Sequence, residues 1–262
     1  MSGPAIGDIL GPDDPLPVRV FNAQGASPFL LLGDHAGSVI PAALRDLGLS
    51  AADRARHIAL DIGVRGMGEA LASQLDACFL HQTYSRLVVD CNRDPAGVEA
   101  MPDLADGMRV PGNIGLTDSE RAARIAAIHA PYHDAIAATL DTRQARGQET
   151  ILLSLHSFTP SMGGESRPWH AGVLYWRGDT GFALRLLRAL EQREDMVIGD
   201  NAPYRMDATD YTVPLHAFPR GCAYAEIEVR QDLIADPAGQ MRWAMILKDA
   251  ARAALPASGA SD

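Results

Sequence analysis

Short apolar runs rich in leucine, valine and aromatic residues alternate with stretches of helical periodicity along the chain, and this alternation narrows the fold more than any other feature. Pro28-Phe-Leu-Leu-Leu32 reads as a buried strand, and Pro41-Ala-Ala-Leu-Arg45 as a helix start. Residues 61–75 carry small and apolar side chains at helical spacing, and Cys78-Phe-Leu80 and Leu87-Val-Val89 are the next strand candidates. Thr117-Asp-Ser-Glu120 has the form of a capping box, in which the Glu120 side chain returns a bond to the Thr117 backbone. It opens a long helical stretch toward Arg146 that Pro131 should kink or break. Residues 151–155 and 173–176 are strand-like by composition, 180–193 helical, 224–230 an alternating strand and 233–255 a closing helix. The pattern predicts an α/β fold of three layers, a mostly parallel mixed sheet with helices on both faces. With no linker or repeat in sight, one domain is expected over residues 1–255, followed by a disordered tail, 256–262.

Sheets of this kind collect ligands at the carboxyl ends of their strands. Asp34, His35, Gly37 and Ser38 follow the first run, Asp90, Asn92 and Arg93 follow Val89, and His156, Ser157 and Thr159 follow Leu155. A late strand adds Glu228 and Arg230. Two histidines, a carboxylate and arginines from separate strand ends are the parts of a mononuclear zinc hydrolase. Imidazole binds zinc well, an open site keeps three protein ligands, a carboxylate accepts a proton from the attacking water, and a fixed cation stabilises the oxyanion.

Composition removes several other classes. Of 262 residues, 23 are basic and 33 acidic, for a formal net charge of −10, which argues against a nucleic-acid partner. The single lysine, Lys248, lies in Met245-Ile-Leu-Lys-Asp249 and fits neither a Walker loop nor a Schiff-base enzyme. No Gly-x-Ser-x-Gly elbow of a serine hydrolase occurs. The first thirty residues lack a secretory pattern, and no apolar run nears the roughly 18–20 residues that span a bilayer. Cys78, Cys91 and Cys222 are scattered and odd in number, which suits free thiols in a reducing compartment. A cytoplasmic protein without membrane or nucleic-acid partners is expected, with a homo-oligomer left open.

Five segments carry a family resemblance. They are Asp34-His-Ala-Gly-Ser-Val-Ile-Pro41, His57-Ile-Ala-Leu-Asp-Ile-Gly63, Ser85-Arg-Leu-Val-Val-Asp-Cys-Asn-Arg93, Leu155-His-Ser-Phe-Thr-Pro160 and Glu226-Ile-Glu-Val-Arg-Gln-Asp-Leu233. In this order the chain resembles the N-formylglutamate amidohydrolase family, relatives of zinc carboxypeptidases and aspartoacylase. The resemblance implies a phosphorylase/hydrolase-like α/β fold, one Zn2+ per chain, and His35 and His156 as metal ligands. It implies that Arg86 polarises the scissile carbonyl, that Asn92 and Arg93 grip a substrate carboxylate, and that Glu228 is the general base. One position departs from the superfamily pattern His-x-x-Glu: three residues after His35 stands Ser38, a poor zinc ligand. A carboxylate from elsewhere must complete the site, and Asp61 is the best candidate.

Each assignment has a plainer rival. Asp61 also reads as a helix N-cap. Arg86 and Asp90 could form a structural ion pair on one strand face, and Glu226 or Glu228 could merely hold Arg230. His129 and His133 have a metal-type spacing, but Pro131 lies between them and no glutamate completes a motif, so a solvated or pocket-lining face is favoured. Gly63-Val-Arg-Gly-Met-Gly68 resembles a phosphate loop only superficially and suits close helix packing better. Asn201 and Tyr204, in a loop-like segment, are candidate substrate contacts. The expected activity is zinc-dependent hydrolysis of a small N-acyl amino acid, N-formyl-L-glutamate first. Another N-acyl-amino-acid or peptide amidase, or a non-catalytic metal- or carboxylate-binding relative, are the alternatives. All of them require His35 and His156 to converge, and a separation above about 8 Å would exclude a shared metal.

Overall fold

Residues 29–33 are apolar or glycine at every position because they form a central strand covered on both faces. The computed structural model describes residues 9–256, so residues 257–262 of the expected tail lie outside the described residues. In chain order the strands are β1 (Val18–Phe21), β2 (Phe29–Gly33), β3 (Cys78–Gln82), β4 (Leu104–Ala105), β5 (Met108–Arg109), β6 (Ile151–Phe158), β7 (Ser161–Met162), β8 (Glu165–Ser166), β9 (Ala171–Leu174), β10 (Ile198–Asp200) and β11 (Ala223–Arg230). Seven of them make one sheet in the order β1-β3-β2-β6-β11-β9-β10. The pairs β2–β3, β2–β6, β6–β11 and β9–β10 are parallel, whereas β1–β3 and β9–β11 are antiparallel. The remaining strands form two small hairpins, β4–β5 and β7–β8. The expected mixed α/β sheet, mostly parallel, is the fold observed.

Alternation along the central strands sends one set of side chains to each layer. Phe29, Leu31, Leu153, Leu155, Ile227 and Val229 pack with α2 (Val64–Leu75), α5 (Gly181–Glu191) and α7 (Pro237–Ala253). Leu30, Leu32, Leu152 and Tyr224 face the other side, toward α4 (Ala130–Ala145) and α6 (Thr212–His216). The polar positions of β11 and His156 of β6 share the parity of this second face. A short α1 (Ala51–Arg54) follows its Ser50 N-cap, and α3 (Asp118–Arg124) begins with the capping box read from the sequence. Between α3 and α4 the helix widens into a π segment, Ile125–His129, and Pro131 then occupies the first turn of α4. The helix runs on without a break through residues 118–145, and the π turn just before Pro131 replaces the expected kink with a local change of pitch.

Two expectations need correction. The helix expected at residues 41–45 is a single 3-10 turn, Ala42–Leu44. Leu87-Val-Val89 is no strand but a buried loop in a third apolar cluster with Leu47, Leu49, Tyr84 and Ile128. Its backbone is satisfied from outside any sheet: Arg124 donates to the Val88 carbonyl and Asn113 to that of Leu87. A short apolar run signals burial without specifying a ladder partner. Gly66 and Gly68 are helical packing positions, since a Cβ there would collide with Gln240 or Phe79. Among the described residues no helix is long and apolar enough to cross a membrane.

Candidate active site

β2, β6 and β11 run parallel and end at the same edge, so their carboxyl ends deliver Asp34-His35, His156 and Glu228 side by side. His156 and Glu228 are direct register partners. Asp61 arrives from the loop before α2, where its N–H donates to the His35 carbonyl at 2.9 Å. The left-handed Gly63 that follows presses against the Ile234 carbonyl, a place with no room for a side chain. Asp61 therefore precedes the helix by three residues and does not cap it.

The two imidazole centroids lie 4.9 Å apart, well inside the separation a shared metal requires. Asp61 Oδ2 stands between them, 2.9 Å from His156 Nδ1 and 3.4 Å from His35 Nδ1. All three residues are buried and each offers a donor atom within 4.8 Å of the others. The outer nitrogens meet carboxylates: His35 Nε2 is 2.8 Å from Asp90 Oδ1, and His156 Nε2 is 3.1 Å from Ser154 Oγ and 3.7 Å from Asp34 Oδ2. Asp90 is ionised and can only accept from His35 Nε2–H, so His35 Nδ1 is the ring nitrogen that faces Asp61. That buried Nδ1 has no hydrogen-bond partner. Imidazoles backed by carboxylates, with their other nitrogens converging on a third carboxylate, could hold a divalent cation.

Charge at the cluster is strongly biased. Burial alone would raise each carboxyl, but the His35 and His156 charges and hydrogen bonds hold Asp61 well below its ordinary range. Asp34 falls to about 2 against the same burial penalty, through His156, His35 and the Tyr132 hydroxyl that donates to its Oδ1 at 2.6 Å. Asp90 is held low by Arg86 and His35 despite burial. His156 rises well above its ordinary value, since Glu226, Asp34 and Asp61 outweigh its burial.

Glu226 and Glu228 behave differently. Burial lifts both to about 8, and each has an Oε2 atom without a partner. Neither holds Arg230, which pairs with Asp232. Arg86 takes the ion pair suggested by the sequence, with Nε and Nη2 at 3.0 and 2.7 Å from Asp90 Oδ2 and Nη1 at 3.5 Å from Asp61.

These groups open into one cavity of about 850 Å³. His35, Asp61, Arg86, Asn92, Arg93, His156, Tyr204 and Glu228 all line it. Asn92 also has a second duty, because its amide oxygen accepts from the Tyr211 and Thr212 N–H groups that start α6. Asn201 is not among the lining residues; its side chain accepts from the Tyr175 N–H. His129 and His133 are neither solvated nor lining. Both are buried, His133 between His216 and the Cys91 carbonyl, because the π segment turns them inward. Asp34, Tyr132 and Asp90 are supports to which sequence reasoning assigned no role beside the His35–Asp61–His156 cluster. The signal for two of them was adjacency: Asp34 precedes His35, and Asp90 stands two residues before Asn92.

A model of the N-formylglutamate amidohydrolase family matches residues 27–235. The chain belongs to this family. The gene product Atu2144 of Agrobacterium tumefaciens is 34% identical over 94% of this chain and 97% of its own, with a TM-score of 0.90. An N-formylglutamate amidohydrolase from Ralstonia eutropha JMP134 is 21% identical over 92% of this chain and 96% of its own, with a TM-score of 0.63, and shares the fold. No curated protein matches the chain.

Proposed function

We propose that this family member hydrolyses the amide bond of a small N-acyl amino acid, with N-formyl-L-glutamate as the leading substrate. The observation that carries the reading is the convergence of His35, Asp61 and His156 beside an unpartnered, buried Glu228. His35, Asp61 and His156 would hold one divalent cation, zinc by the chemistry of the donors. Bound there, it supplies a lowered water pKa and polarisation of the scissile carbonyl.

The chain's own residues do the rest. Glu228 takes a proton from the attacking water; burial raises its proton affinity toward the working pH, where a base transfers protons most effectively. Arg86 commits Nε and Nη2 to Asp90, and this tether aims Nη1 at the carbonyl oxygen as negative charge develops. Arg93 and Asn92 orient a substrate carboxylate. Glu228 then returns its proton to the leaving amine, giving formate and glutamate. The three cysteines are free, which fits the cytoplasmic setting proposed for the enzyme.

Assaying a panel of N-formyl, N-acetyl and N-succinyl amino acids on the zinc-loaded protein tests the substrate. Glu228→Gln should keep its metal while kcat falls by about 10²–10⁴. Full activity in that variant, or a wild type inert on the whole panel, contradicts the reading.

A further inference from the structure

A second cavity, of about 570 Å³, opens at the amino ends of β2 and β3, the edge of the sheet away from His35 and His156. The loop 23–26 before β2, Cys78 at the start of β3, the last turns of α4 and Gln148 form its wall. Its charged residues are Arg143 and Arg146. The chain has 33 acidic side chains, and none of them lines this wall. Asp76, which accepts from the Ala26 N–H, does so from outside the lining.

Arg143 is only 5% exposed, and among the described residues no carboxylate lies within ion-pair distance of it. Its Nε donates to Thr150 Oγ1 at 2.9 Å and its Nη2 to the Ser27 carbonyl at 2.7 Å. Nη1 has no acceptor among the described residues. The buried Arg124 differs, because both of its Nη atoms are spent on Val88, Asn113 and Gly112 oxygens. Burial without a counter-charge pulls the Arg143 proton affinity down, a penalty that an anion in the cavity would remove. Arg146 stands three residues on, on the same side of the helix, and is exposed. Its side chain makes no hydrogen bond or ion pair among the described residues.

The wall is set before a ligand arrives. Gln148 Nε2 donates to the Ala26 and Ser27 carbonyls, and Asn22 Nδ2 to Asp76 and the Ala77 carbonyl. Gly25 sits where a Cβ would meet the Asp76 carbonyl at 2.6 Å. Thr139 and Thr142 spend their hydroxyl protons on the Ala135 and Ala138 carbonyls. The donors open to a ligand are therefore those of the two arginines and of Gln24. No aromatic ring lines the cavity, so nothing in it stacks on a nucleobase.

We propose that this cavity binds a sugar phosphate, with the phosphate dianion between Arg143 and Arg146 and the hydroxyls toward Gln24 and Gln148. A phosphate monoester brings two charges to two guanidinium groups, and the volume is that of a small-molecule pocket, larger than inorganic phosphate fills. The site shares no residue with the catalytic cavity, so its occupancy is independent of the hydrolase reading.

Calorimetric titration of the zinc-loaded full chain with ribose 5-phosphate, inorganic phosphate and ribose tests the assignment. Wild type should bind one ribose 5-phosphate per chain, about 10-fold more tightly than inorganic phosphate, and should not bind ribose. Arg146→Met, a change at an exposed position that spares the fold, should weaken binding by about 10–100-fold. Arg143→Met should abolish it, and Arg93→Met, in the catalytic cavity, should bind as wild type does. No saturable binding by wild type, unchanged affinity in Arg146→Met, or loss of binding in Arg93→Met overturns the assignment. Equal affinity for inorganic phosphate and ribose 5-phosphate overturns the sugar part of it.

Discussion

Two groups of buried histidines occupy the same layer of this protein, and they are wired in opposite ways. His35 and His156 sit among Asp34, Asp61 and Asp90, and His156 is held far above its ordinary proton affinity. His129, His133 and His216 meet carbonyls, tyrosine rings and one another, and burial drives His133 down to about 3 and His216 to about 4. In the second group His133 Nε2 must donate to the Cys91 carbonyl, so its Nδ1 accepts from His216 Nε2–H, and both rings are neutral. Burial is common to both groups; the charge of the partners is what separates them. The carboxylate-backed rings, His35 and His156, line the cavity, whereas His133, backed by the Cys91 carbonyl, packs inside the fold.

The largest effect that can break this contrast is on stability at low pH. His133 and His216 have folded-state pKa values below the unfolded value near 6.5, so below that pH the unfolded chain takes up protons that the folded chain refuses. Stability should be intact above about 6.5 and decline as the pH falls toward about 4. The loss is about 2 kcal/mol per imidazole at pH 5. Urea unfolding at pH 7.5 and 5.0 measures it, and His216→Gln should remove roughly half of the difference. An unchanged slope in that variant would mean that the pair is not buried neutral.

Asp90→Asn tests the other side of the contrast. The amide keeps the shape but withdraws the charge behind His35, so zinc affinity should fall about 10–100-fold in competition with a chelator. A change below threefold would detach Asp90 from the metal cluster. The smallest effect on the cation site is expected for Tyr132→Phe, which removes one hydrogen bond to the buried Asp34. It should cost about 1–3 kcal/mol in denaturant unfolding while zinc stoichiometry stays at about one.

The parallel strands were legible because they are buried on both faces and read as continuous apolar runs, and β11 was legible because its polar positions point into the cavity while Ala225, Ile227 and Val229 feed the opposite layer. Residues 87–89 misled for the same reason in reverse, since a buried loop is as apolar as a buried strand. In the site, His35, His156 and Glu228 could be placed from sequence because strand ends have a fixed destination. Asp61 could be named but not positioned, since its approach depends on a loop anchored to the His35 carbonyl. Tyr132 was invisible: it reaches Asp34 from an element distant in sequence, and nothing local marks a tyrosine as a carboxylate's partner.

The central claim is that His35, Asp61 and His156 form a single cation site. Titrating the metal-free protein with Zn2+ by calorimetry, in buffers of different ionisation enthalpy, tests it most directly. The wild type should bind one ion per chain with release of a proton from the His156–Asp61 pair, Asp61→Ala should lose that binding, and His133→Gln should retain it. Equal zinc binding by wild type and Asp61→Ala would contradict the account.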